Sequence, residues 1–176
     1  MTALLLLACV LGTVSPREVA AQATVEIAIL GLRGDVPVGW PAERPATSMR
    51  VVQHRVPGPV GEATLAVFWF GRNQGGSASA NIARWTSQFS TADGGPVHPT
   101  IETTTVAAMP VTLVTLRGSY ARGVGMGPIG APVPDQMLLA AVVESPEGNL
   151  YFQLWGPAAT VTSALPDFRT LVLGLR

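Results

Sequence analysis

The chain has 176 residues, balances eleven basic against eleven acidic side chains, and is 12% charged and 48% hydrophobic. A neutral chain without a basic cluster lacks the phosphate-neutralising surface of a nucleic-acid binder, and this much hydrophobicity excludes intrinsic disorder. All the basic residues are Arg, so Schiff-base lysines, P-loop lysines and Ser-Lys dyads are excluded too.

The apolar run from Ala3 to Val14, followed by Arg17 and a small-residue stretch ending Ala21-Gln22-Ala23, reads as an export signal cut before Thr24. Only Met1 and Thr2 precede it, so the usual basic n-region is missing. Broken by Gly12 and Pro16, it is shorter than the ~20 apolar residues that span a bilayer, which predicts no transmembrane anchor in the mature chain. Leu6-Leu7-Ala8-Cys9 also resembles the bacterial lipobox, so the alternative is a lipoprotein anchored through Cys9. Cys9 is the single cysteine, and a chain cut before Thr24 has no thiol for disulfides, metal or nucleophilic catalysis. The expected organisation is a signal peptide over 1–23 and one α+β domain over 24–176, about 150 residues and large enough for its own core.

Beyond an irregular Pro-rich lead-in from Trp40 to Pro45, Met49–Val56 reads as a strand closed by Pro57-Gly58-Pro59. Ala63–Phe70 sets Leu65, Val67 and Trp69 on one face and Ala66, Phe68 and Phe70 on the other, the pattern of a strand covered on both sides. Gly71 to Gly76 breaks that pattern. Ala78, Ile82, Trp85 and Phe89 then recur at helical spacing, with Ser77 as the N-cap. After the Asp93-Gly94-Gly95-Pro96 turn, Thr100–Val106 alternates Thr and Glu102 with apolar residues, which predicts an outer strand with one wet face. Val111–Tyr120 reads as a strand, Arg122–Pro134 as a long loop, and Met137–Val143 with Leu150–Trp155 as a hairpin. Val161, Leu165, Phe168 and Val172 mark a last helix, and Pro166 predicts that it breaks and restarts at about that residue. The sum is α+β: a mainly antiparallel sheet of about six strands covered by two helices.

No reactive constellation emerges from the motifs. Gly125-Met126-Gly127-Pro128-Ile129-Gly130 spells GxGxxG, but Ala131-Pro132-Val133-Pro134 follows, and prolines there forbid the helix whose N-terminus would hold a pyrophosphate. His54 and His98 stand apart without metal-ligand spacing, so no metal or cofactor is expected. Ser77 or Ser79 with His98 and Asp93 is the one conceivable hydrolytic set, with no GxSxG elbow to support it. Trp69 and Trp85 fall on buried stripes, whereas Trp40 and Trp155 lie at element ends as surface aromatics. The candidate ligand-binding residues are therefore Trp40, His98, Arg122, Met126 and Trp155, with Arg122 and Met126 on a loop long enough to cover a site. Asn149-Leu150-Tyr151-Phe152-Gln153 resembles a protease-tag remnant, but Gly148 departs from the tag and the segment sits inside an alternating strand.

Trp40, Ser48-Met49-Arg50, Gly75-Gly76, the segments Asn81–Phe89 and Pro110–Tyr120, and Gly156-Pro157 together resemble a group of uncharacterised exported bacterial proteins. The element order is similar to the Mog1/PsbP-like α/β/α sandwich, which implies a binding or assembly role and transfers no catalytic residues. The expected function is an exported, non-catalytic binding or assembly module of the bacterial cell envelope, periplasmic or extracellular, whose partner is an envelope protein or an apolar small ligand. The alternative is a cofactor-free hydrolase using Ser, His and Asp.

Overall fold

The computed structural model describes residues 23–45, 47–121 and 131–176. The leader with Cys9, the GxGxxG segment and the candidates Arg122 and Met126 lie outside these residues. The strands are β1 (Thr24–Ile29), β2 (Leu32–Pro37), β3 (Arg50–Val56), β4 (Ala63–Trp69), β5 (Phe89–Ser90), β6 (Thr100–Val106), β7 (Met109–Tyr120), β8 (Val133–Ser145) and β9 (Gly148–Pro157). The helices are α1 (Ala78–Thr86) and α2 (Ala158–Leu173).

The main sheet runs β3-β4-β9-β8-β7, with β5 and β6 both on the outer side of β7, and every pairing is antiparallel. Its centre is the β8–β9 hairpin, where Ser145 faces Gly148 across a two-residue turn. Alternation along β8 sends Met137, Leu139, Ala141 and Val143 to one face and Leu138, Ala140 and Val142 to the other. Both faces are covered, as the doubly apolar β4 and β8 require. On the first, α2 buries Val161, Phe168 and Val172 beside Phe152 and Leu154. On the second, Trp85 of α1 and Phe89 cover Val114, Leu116 and Tyr151. Each large side chain withdrawn this fully from water contributes about 1.5 to 3 kcal/mol. The fold is thus the expected α+β sandwich.

Several elements depart from expectation. β1 and β2 form a separate hairpin on the α2 side, and β5 is a further short strand, so the sheet count exceeds the predicted one. The hairpin is tied down by Arg176, whose backbone pairs with Arg33 and whose guanidinium bridges Glu26 and Asp35. The helix predicted to reach Phe89 stops at Thr86, and Phe89 is buried from β5 instead, its ring 4.9 Å from Tyr120. Thr100–Val106 is exposed on both faces except at Val106. Val133 and Pro134, placed in the loop by sequence, open β8.

Pro166 does not break α2, which runs uninterrupted from Ala158. A proline deprives the carbonyl four residues earlier of its donor. Here Thr162 and Pro166 both lie on the exposed side of the helix, where the unpaired carbonyl is open to solvent, while the buried stripe holds the remainder in place.

Candidate functional site

Helix α1 begins where sequence places it, because the Ser77 hydroxyl accepts a hydrogen bond from the Ala80 N–H at 3.2 Å. Its position is fixed by Asn81, a polar residue that sequence reasoning passed over and that is only 1% exposed. The Asn81 amide donates to the carbonyls of Gly75 at 2.8 Å and Ser77 at 2.9 Å, and its oxygen accepts from Arg84. The neighbouring Gly76 carbonyl accepts from the Tyr151 hydroxyl at 2.7 Å. Gly75 has φ +87°, and a Cβ there would meet the Phe70 and Tyr151 rings at 2.7 Å, so only glycine fits. The β4–α1 connection is therefore bolted to the sheet by side chains that satisfy its carbonyls.

From this anchorage α1 stands off the outer part of the sheet and leaves a cleft of about 780 Å³ between itself and the 94–101 segment. Ile82, Phe89, Pro96, Val97, Pro99 and Ile101 supply apolar walls, with Ser79, Ser87 and Ser90 as small hydroxyls among them. Thr86 also lines it, and its buried hydroxyl has no hydrogen-bond partner among the described residues. His98 is on the cleft and exposed. A volume of this size and an apolar lining with few polar groups match small-molecule and side-chain binding sites.

The conceivable hydrolytic set is only partly brought together. Ser79 and His98 share the cleft, but no hydrogen bond joins His98 to a serine or to Asp93 among the described residues. Ser79 is engaged with Ser77 at 3.0 Å. Asp93 accepts from the Thr91 hydroxyl at 2.5 Å, and that bond, seconded by backbone N–H groups, holds its carboxyl below the usual value.

The other candidates scatter. Trp40 is not a surface aromatic: it is 6% exposed and belongs to the core on the α2 side. Its loop is pinned by His54, 4% exposed, whose Nδ1–H donates to the Trp40 carbonyl at 2.8 Å; a carbonyl only accepts, so Nδ1 carries the proton. Trp155 is half-buried on the α1 face, with the Arg50 guanidinium 5.5 Å from its ring centroid and 5.3 Å from that of Phe68. It borders a separate hollow of about 340 Å³ with Tyr120, Val133 and Gln136. A third, polar hollow of about 500 Å³ lies among Arg72, Asn73, Ser77 and Asn149. Among the described residues no three His, Cys, Asp or Glu side chains converge, and no helix is long and apolar enough to cross a membrane.

No protein-family model matches the chain, and no curated protein matches it. Solved structures do. Cyanobacterial PsbP (CyanoP) from Synechocystis sp. PCC 6803 superposes with a TM-score of 0.55, covering 92% of this chain and 96% of its own at 15% identity. A protein of unknown function from Pseudomonas aeruginosa gives a TM-score of 0.48, covering 83% of this chain and 91% of its own at 14% identity. The first likeness establishes a PsbP-like fold.

Proposed function

We propose that the protein is an exported, non-catalytic binding module of the bacterial cell envelope, and that the cleft between α1 and the 94–101 segment receives its apolar ligand. The observation that carries this reading is the cleft itself: about 780 Å³ of space walled by Ile82, Phe89, Val97 and Ile101. Exposed apolar surface of this kind is retained at a cost to solubility and marks ligand or partner sites. The export element rests on the apolar leader ahead of Thr24.

Native mass spectrometry of protein released gently from the cell envelope tests it. The wild type should carry a non-covalent apolar adduct, and Ala83→Trp should lose it. Ala83 is an exposed helix residue lining the cleft, so an indole there fills the space without touching the core. Adduct-free wild type, or an adduct unaffected by the tryptophan, contradicts the reading.

A second reading, a cofactor-free hydrolase, draws on Ser79 and His98 facing the same space. An esterase and glycosidase panel separates the two, since turnover abolished by His98→Ala belongs only to the hydrolase.

A further inference from the structure

An antiparallel sheet ends in two strands with unpaired backbone groups, and natural sheets guard those edges with charged side chains, prolines, bulges or covering segments. One edge of the main sheet here is guarded. Along β3, Ala42 bridges His54, the Glu43 N–H donates to Gln53, and the Arg55 N–H donates to Pro41. The opposite edge is different. Among the described residues β6 pairs only with β7, in unbroken register from Thr100↔Thr115 to Val106↔Met109. Its sequence, Thr-Ile-Glu-Thr-Thr-Thr-Val, is β-branched at every position but Glu102, its single charge, and contains no proline or glycine. Ile101 is 49% exposed on it.

The direction of each backbone group follows from the turn. Val106 and Met109 flank the two-residue Ala107-Ala108 turn, so they exchange hydrogen bonds, and the alternation of an antiparallel ladder turns Val106, Thr104, Glu102 and Thr100 toward β7. Pro110, which has no N–H, sits opposite Thr105, where this alternation asks for none. Ile101, Thr103 and Thr105 therefore present N–H and C=O groups to the open side.

We propose that β6 pairs antiparallel with β6 of a second copy of this chain about a twofold axis at Thr103, joining two sheets into one. In that register Thr103 faces its own copy, and Ile101 faces Thr105 of the other chain. Each of these pairs joins two outward-facing residues, so every open N–H finds a carbonyl. The side-chain match is also self-complementary: β-branched residues oppose one another, and Thr–Thr pairs are favourable across strands. Glu102, the one charge on the strand, faces Thr104, not another carboxylate. It is already held by Arg169 of α2 at 3.0 and 3.1 Å on the other sheet face.

Thr103 is exposed, so it accepts substitution without disturbing the core. Thr103→Lys and Thr103→Glu each set like charges directly opposite across the axis. Sedimentation velocity on protein purified from cells expressing the full chain should find wild type dimeric, each variant monomeric, and an equimolar mixture of the two dimeric again. Hydrogen exchange should show the Ile101, Thr103 and Thr105 amides protected in wild type and open in either variant alone. Thr103→Pro, which removes only an outward N–H, gives a further monomer with unchanged circular dichroism. A monomeric wild type, including one whose edge receives a strand from another protein, overturns the proposal. So does a mixture that stays monomeric, or a Thr103→Pro dimer.

Discussion

Replacing Asn81 by alanine tests how α1 and its cleft are held. The substitution removes both hydrogen bonds that the side-chain amide donates, to Gly75 and Ser77, and strips Arg84 of its acceptor. Ser77 keeps a partner, because the Asn81 backbone N–H still donates to its carbonyl at 3.1 Å. Gly75 loses its side-chain donor in a part-buried position, at a cost of about 1 to 3 kcal/mol, and the second bond is worth about 1 kcal/mol. Alanine returns a few tenths of a kcal/mol in helix propensity, roughly 0.5 at most. The net loss is about 1.5 to 3.5 kcal/mol, which for a domain this long lowers Tm by roughly 5 to 10 °C. Circular dichroism melting of wild type, Asn81→Ala and Asn81→Asp measures it. The aspartate is isosteric and keeps an acceptor for Arg84, yet it aims a carboxylate at two carbonyls, so it should melt no higher than the alanine variant. An alanine variant within about 1 °C of wild type, or an aspartate variant as stable as wild type, would refute the assigned role.

The β6–β7 turn holds Ala107 at φ +47° and Ala108 at φ +63°, a conformation that asparagine and glycine adopt with less strain. The double variant Ala107→Asn with Ala108→Gly should therefore gain about 1 to 2 kcal/mol, raising Tm by roughly 3 to 6 °C, and a lowered Tm would contradict the turn geometry. Asp93 titrates below its ordinary 3.8 because Thr91 donates to it. A carboxyl depressed in the folded state adds stability above its unfolded pKa and loses it as pH falls through the folded value. Thr91→Ala should move the Asp93 midpoint upward in an NMR titration; an unchanged midpoint would deny that bond its role.

What the sequence disclosed follows the strength of its periodic signals. Ser77 before a helical stripe located α1, the two-faced alternation of β4 and β8 located the buried strands, and the Pro146-Glu147 turn located the central hairpin. The β1–β2 hairpin was harder to see because its turn is Leu30-Gly31, with Leu30 at φ +48° in place of the Asn or Asp that usually announces such a turn. Its anchor is a contact with Arg176, far along the chain. Asn81 sits one position from Ile82 on the predicted apolar stripe, and nothing local signals that the Gly75 and Ser77 carbonyls need its amide. The place of Trp40 at an element end suggests a surface residue. The burial of its ring comes from packing on the α2 side, with its loop pinned by His54, and both are tertiary effects. As for the site, His98 was legible as a loop residue after a turn, whereas the cleft it borders is made by α1 lying across from 94–101, a juxtaposition no local pattern encodes.

The cleft as a binding site is tested most directly by a proton–nitrogen NMR titration with anilinonaphthalene sulfonate. Shifts confined to Ile82, Phe89, Val97, His98 and Ile101, saturating at one equivalent and absent in Ala83→Trp, are the expected result. Shifts centred on the hollow beside Trp155, or unchanged by the tryptophan, would contradict it.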